Sequence, residues 1–262
     1  MLPNLQEVDA FLFDVFGTVV DWRRSVEREL TSLNIRYKLA IEITGTNWEA
    51  DFAQEWRNGY LETTRAIAAG IPGTSNIDEM HRQILDRMLD SPGSRWAFFA
   101  PVLDDTAREE LNNVWHRLDG WPDSSPGLHA LKQHSIIATL SNGNVRLLVD
   151  LAKHAKLPWD VVFSTELFDT FKPNPKAYLS AARHLSLPPS RCAMVATHIF
   201  DLRAAGALGM KTVYIPRLGE GAAEVDEVKT KAEGGEVDVV VQSLEELAEI
   251  VAAAVAVSER SN

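Results

Sequence analysis

A chain of 262 residues is long enough to bury a full core, as one domain or two modest ones. Its formal charge of −11, from 26 basic and 37 acidic residues, argues against a phosphate-backbone binder, so no nucleic-acid partner is expected. Much of the acid lies in residues 220–262, which hold 11 acidic and 3 basic side chains and read as a solvated C-terminal face. The single cysteine, Cys192, excludes an internal disulfide framework and a multi-cysteine metal site, and its apolar neighbours suggest a buried strand thiol.

In chain order, the apolar density of residues 10–15 predicts a short buried strand. Residues 21–33 then turn helical. A second helix is expected over 48–69 and a third over 77–89, whose Ile77, Met80, Ile84 and Met88 share one stripe. Gly70-Ile71-Pro72-Gly73 separates them and Pro92-Gly93 closes the block. Some eighty residues of helix inserted directly after a strand predict a separate helical subdomain at 21–100, with 1–20 and 101–262 forming the other body.

Beyond residue 103 the rhythm changes. A helix is expected at 106–118, a turn-rich connection at 121–127 and a short helix at 128–134. Strands at 135–140, 161–164, 193–196, 212–215 and 237–241 alternate with helices that follow Asn144, Asn174 and Asp201, Asn144 being a candidate cap. This alternation predicts a mostly parallel α/β sheet flanked by helices, with the 10–15 strand near its centre. The apolar stretch 244–257 is interrupted by Glu245, Glu246 and Glu249, which fits a surface helix better than a membrane span. No basic-apolar leader opens the sequence, so a soluble, cytoplasmic protein without a membrane partner is expected.

Polar residues gather at the expected strand ends: Asp14 and Thr18; Ser141 and Asn142; Lys172 after its loop; Thr197, His198 and Asp201. Singly, each is more often a cap, a turn former or a solvated charge. A parallel sheet brings such ends around one crevice, and an Asp there is a candidate nucleophile. In the helical block Arg57, Arg65, Arg82 and Arg87 are available cations, and helical arginines are usually solvated; the adjoining Trp56 and its place in the first long helix favour Arg57. Tyr178 reads equally as a core aromatic or a pocket hydroxyl.

These segments resemble the haloacid dehalogenase superfamily, and within it the L-2-haloacid dehalogenase (type II) branch. The resemblance runs through Phe13-Asp14-Val15-Phe16-Gly17-Thr18, Ser141-Asn142-Gly143, Lys172-Pro173 with Tyr178, and Val195-Ala196-Thr197-His198-Ile199-Phe200-Asp201, with Trp56-Arg57 resembling the substrate-arginine segment. It implies a Rossmann-like core with an inserted all-helical cap, and often a homodimer, to which an apolar cap face around Ile84 and Met88 would contribute. It also implies a small 2-haloacid substrate, a halide product and no cofactor. The superfamily's phosphatases carry a second Asp two residues after the nucleophile, which serves as acid/base and helps to bind magnesium. Here that position is Phe16, so no metal site is expected and phosphatase chemistry is disfavoured.

By the same resemblance, Asp14 attacks the α-carbon to form an ester, and Thr18, Ser141 and Lys172 hold the nucleophile and the substrate carboxylate. Arg57 and Asn142 receive the halide, while Phe16 and Trp56 exclude water. Water then hydrolyses the ester with Asp201 positioning or activating it. The branch usually has Tyr at the Phe16 position and Ser-Ser-Asn where this chain reads Ala196-Thr197-His198. Thr197 keeps one hydroxyl there, and His198 with Asp201 forms a candidate base pair. Two other readings stay open. One is a hydrolase of the same fold acting on another, perhaps phosphorylated, substrate, which magnesium-stimulated phosphate release would reveal. The other is a non-catalytic small-molecule-binding protein, which a trapped aspartyl ester would exclude.

Overall fold

The first apolar run folds as a fully buried strand, β1 (Ala10–Phe13). The computed structural model describes residues 5–38, 47–68, 70–220 and 228–260. Five further strands join β1: β2 (Ile136–Ser141), β3 (Val161–Ser164), β4 (Cys192–Ala196), β5 (Lys211–Tyr214) and β6 (Val239–Val240). All pairings are parallel and the spatial order is β3-β2-β1-β4-β5-β6, the doubly wound arrangement with β1 at the switch point. Phe13 lies opposite both Thr139 and Val195, so Asp14 leaves the sheet beside the ends of β2 and β4. That register gathers three of the predicted strand ends.

The chain divides into two compact units, one of residues up to Asp21 and from Gly120 onward, the other Trp22–Asp119. The insertion consists of α1 (Trp22–Tyr37), α2 (Trp48–Ala68), α3 (Ile77–Asp90) and α4 (Asp105–Asn112), with short 3-10 turns after α3 and α4. The expected last residue of the second helix, Ala69, lies outside the described residues. α3 starts where Asn76 accepts hydrogen bonds from the Asp78 and Glu79 N–H groups, and its first turn carries acids that favour the helix dipole.

The insertion ends at Asp119 rather than at the expected residue 100. Leu111, Val114 and Trp115 are buried, and Trp115 stacks on His81 at 4.1 Å and on Trp22 at 6.1 Å. The 106–118 helix breaks after Asn112 into a single 3-10 turn, Asn113–His116. A second correction concerns Ile84 and Met88. Both are buried, and Gly59 on α2 admits Ile84 so closely that a Cβ there would stand 2.6 Å from its Cγ2. The stripe is insertion core, not the open dimer face expected from sequence.

The remaining helices belong to the sheet unit: α5 (Ser124–Leu131), α6 (Val145–His154), α7 (Pro175–His184), α8 (Ile199–Gly206) and α9 (Leu244–Arg260). Ser-Ser-Pro-Gly at 124–127 is the first turn of α5, not a loop. A proline in a first turn loses no intrahelical bond. Gly127 is needed for packing, because a Cβ there would lie 2.5 Å from the Leu244 backbone at the start of α9. α9 buries Leu244, Leu247, Ala248, Val251 and Ala254, which fits the predicted surface helix. No helix among the described residues is long and apolar enough to cross a membrane. Asn144 stands at the cap position of α6 but makes no capping side-chain bond; Glu166 Oε2 accepts from the Val145 N–H instead, at 2.9 Å. Cys192 is buried, and burial pushes its thiol up to about 11.

Candidate active site

Asp14 follows β1, where its own N–H still bonds to the Val195 carbonyl. The turn beyond it needs Gly17, whose φ is +83°. Thr18 Oγ1 donates to Asp14 Oδ2 at 2.8 Å and accepts from the Thr197 N–H at 3.0 Å, tying the nucleophile turn to the end of β4. Lys172 Nζ reaches Asp14 Oδ1 at 2.9 Å and Asp201 Oδ2 at 2.5 Å. Tyr178, on α7, donates its hydroxyl to Asp201 Oδ1, so both Asp201 oxygens are engaged. The ring of Tyr178 is fully buried, which makes it core aromatic and site hydroxyl at once.

The charges follow from these contacts. Burial alone would raise the Asp14 carboxyl, but the Lys172 ammonium and the His198 ring outweigh it and hold Asp14 well below the usual range. Burial and the Asp14 charge push Asp201 up, against the pull of Lys172. Burial would lower Lys172, yet its two carboxylate neighbours hold it above the ordinary lysine range. Asp14 is therefore kept ionised.

His198 stands at the cap position of α8 without capping it. Its Nδ1 lies 3.0 Å from Asp14 Oδ2, and its Nε2 lies 3.3 Å from Glu220 Oε2. Asn142 Oδ1 accepts from the Lys172 N–H at 2.8 Å and from Thr165 Oγ1 at 3.1 Å, so it fixes the lysine loop. Ser141 Oγ accepts from the Gly143 N–H at 3.2 Å, and Phe16 packs where a Cβ on Gly143 would stand 3.1 Å from its ring. Thr197 Oγ1 is buried with no hydrogen-bond partner among the described residues.

The sheet unit thus brings together Asp14, Thr18, Lys172, Tyr178, His198 and Asp201, with Ser141, Asn142, Phe16 and Thr197 around them. Trp56 and Arg57 belong to the insertion. From sequence Trp56 is expected to exclude water. Its ring is buried against Phe52, His81 and Trp115 and its Nε1–H donates to the His81 carbonyl at 2.9 Å, so it serves the insertion core. Arg57 is also buried, with its guanidinium 5.4 Å from the Trp22 ring centroid and 5.0 Å from that of Tyr60.

The sequence profile of the haloacid dehalogenase-like hydrolases matches residues 8–209. The chain belongs to this family. A defluorinating L-2-haloacid dehalogenase of solved structure superposes with a TM-score of 0.80 at 35% identity, covering 96% of this chain and 98% of its own. A second L-2-haloacid dehalogenase structure gives 0.79, also at 35% identity, over 92% of this chain and 98% of that one. The curated (S)-2-haloacid dehalogenase 4A of Burkholderia cepacia is 29% identical over 217 residues, 80% of this chain and 84% of that protein. In this haloacid dehalogenase-like hydrolase the Asp14–Lys172–Asp201 chain is complete within the sheet unit.

Several positions around the nucleophile turn escaped the sequence reading. Glu220 carries no local signal: it is one acid in an acidic stretch. Arg217 had one, since it follows the β5 strand as Lys172 and His198 follow theirs. It donates through Nε to the Thr18 carbonyl at 2.9 Å and forks onto Asp123 at 2.7 and 3.0 Å, while Asp123 Oδ2 accepts the Leu244 N–H at 2.7 Å. Trp121 Nε1–H and Ser124 Oγ–H hold the neighbouring Gly17 and Val19 carbonyls at 2.9 and 2.7 Å. Consecutive carbonyls of the nucleophile turn are thereby clamped. Arg217→Met strands the buried Asp123 carboxylate and is expected to cost about 3–5 kcal/mol in denaturant unfolding. Arg217→Lys should recover only part of that, because it lacks the fork.

Proposed function

We propose that this hydrolase removes the halogen of short (S)-2-haloacids to give (R)-2-hydroxyacids, through an ester on Asp14 and without a metal ion. The observation that carries the reading is the Asp14 carboxylate, held ionised by Lys172 and His198, with an apolar ring two residues on. A carboxylate oxygen of Asp14 attacks the α-carbon opposite the halogen; the C–O bond forms as the carbon–halogen bond breaks, inverting the centre. Halide leaves with the electron pair and needs no proton. A phosphate ester would need an acid for its leaving oxygen and a counter-charge for its dianion, and Phe16 offers neither.

Lys172 supplies the cation that keeps Asp14 a nucleophile. Arg57, buried between two aromatic faces that limit its rotamers, is assigned to the departing halide. Water then attacks Cγ of the Asp14 ester. The sequence reading gave its activation to Asp201 with His198. The geometry favours His198, the ring at the Asp14 oxygen, while Asp201 is engaged by Lys172 and Tyr178 and tunes the lysine. The named dehalogenases this chain resembles support the substrate class.

The test is halide release from separate L- and D-2-chloropropionate, with and without EDTA. Release that is L-selective, EDTA-resistant and accompanied by the R product is expected. No halide from either enantiomer, with magnesium-stimulated phosphate release from a phosphomonoester panel, would overturn the assignment.

A further inference from the structure

His198 is bracketed by acid. Its Nδ1 faces Asp14 Oδ2 at 3.0 Å and its Nε2 faces Glu220 Oε2 at 3.3 Å. Glu220 is only 7% exposed, and its backbone N–H is fixed to the carbonyl of the clamped Arg217 at 3.1 Å. Its carboxylate also fills the space a side chain on Gly17 would take: a Cβ there would meet Glu220 Cδ and Oε2 at 2.6 Å each. The glycine of the nucleophile turn thus serves twice, through its positive φ and by admitting Glu220 to the ring of His198. The charged groups facing this ring among the described residues are Asp14 and Glu220, with Lys172 behind Asp14 and Asp201 behind Lys172.

A carboxylate oxygen can only accept, so an imidazole with one at each nitrogen satisfies both only by donating from both. From this arrangement we infer that Glu220 is a positioning residue that makes His198 a proton switch driven by ester formation, a reading that rests on the Asp14 ester proposed above. In the free enzyme His198 is the imidazolium, donating to Asp14 and Glu220. Alkylation turns the Asp14 carboxylate into a neutral ester, a much weaker acceptor, and leaves Lys172 with one counter-charge fewer. Both changes expel the Nδ1 proton to solvent, while Glu220 retains the Nε2–H. The ring is then neutral, with its lone pair at Nδ1 directed to the ester that water must attack.

The protons balance. Water gives one proton to Nδ1 as its oxygen bonds to Cγ. The acyl C–O bond breaks, and the departing alkoxide takes that proton and leaves as the hydroxyacid. The second proton of the water, now on the regenerated Asp14 carboxyl, returns to Nδ1 and restores the imidazolium. The one net proton of the reaction, haloacid plus water to hydroxyacid plus halide plus H⁺, therefore appears with ester formation and not with hydrolysis.

The experiment combines stopped-flow pH-indicator absorbance in weak buffer with rapid-quench intact mass, using L-2-chloropropionate and the full chain. The wild type is expected to release about one proton per site in phase with the ester. Glu220→Gln should still form ester, since the nucleophile and Lys172 are untouched. Its ring begins neutral, so the proton is expected in the hydrolysis phase, and the ester should decay on the order of 10²-fold more slowly. His198→Gln, which has no switch at all, should likewise move the proton to the hydrolysis phase. A Glu220→Gln enzyme with the wild-type proton burst and wild-type ester decay overturns the switch while leaving the dehalogenase reading intact. A wild type that forms no ester overturns both, and mass alone reveals it.

Discussion

Asp14→Ala is expected to abolish halide release, by on the order of 10⁵-fold or more, and to leave no substrate-derived mass on the protein. Asp201 does not substitute: Lys172 and Tyr178 hold both its oxygens, and burial together with the Asp14 charge pushes its carboxyl up. The same variant tests the electrostatics. Asp14 is held below its unfolded value, so its contribution to stability is present above the ordinary carboxylate range. It is lost as the pH falls from there towards the folded value. Denaturant midpoints of wild type and Asp14→Ala should therefore differ most near neutrality and converge on acidification. A constant gap would mean that the Lys172 and His198 contacts do not set the Asp14 charge.

Lys172→Met should damage both activity and fold. The lysine is buried between two carboxylates, and its loss leaves them without their shared cation. Breaking a buried pair costs about 3–5 kcal/mol, and a nucleophile that has lost its counter-charge is expected to lose at least about 10³-fold in halide release. The gap to wild type runs in the same direction with pH as that of Asp14→Ala, for a different reason. Without Lys172 both carboxyls titrate above their unfolded values, so protonation favours the folded state. The deficit against wild type is then largest at neutral pH and shrinks as the pH falls through the carboxylate range. Lys172→Arg should not rescue activity, because a planar fork cannot place one point charge 2.9 Å from one carboxylate and 2.5 Å from the other. Unfolding midpoints at pH 4 to 8, read beside halide release, check both statements.

The proton-switch reading joins these predictions. Lys172 and His198 both neutralise Asp14, at different oxygens, but only the imidazole can release its proton when the charge disappears. Lys172, which two carboxylates hold above its ordinary range, keeps Asp201 as its partner after the ester forms. The cation for the first step and the base for the second are thus separate groups on one carboxylate.

The sequence by itself determined the doubly wound sheet, its helical insertion and the strand ends that carry the chemistry. Buried parallel strands write themselves as short apolar runs, and a polar residue at the end of such a run has one edge of the sheet to occupy. Asp14, Thr18, Lys172, His198 and Asp201 were legible as strand-end residues for that reason, and they lie together in the sheet unit. What lies far apart in sequence and follows no period was left to the tertiary structure. Glu220 reaches His198 only because Gly17 has no side chain, a steric fact across some two hundred residues that neither position reveals. Arg217 and Asp123 meet through the start of α9. Trp56, beside the arginine the resemblance picked out, became insertion core because Trp115, beyond the expected boundary, packs against it. Local pattern reports which face of an element is buried; it does not report which distant carboxylate, carbonyl or ring fills the space opposite. That choice decided the partner of His198.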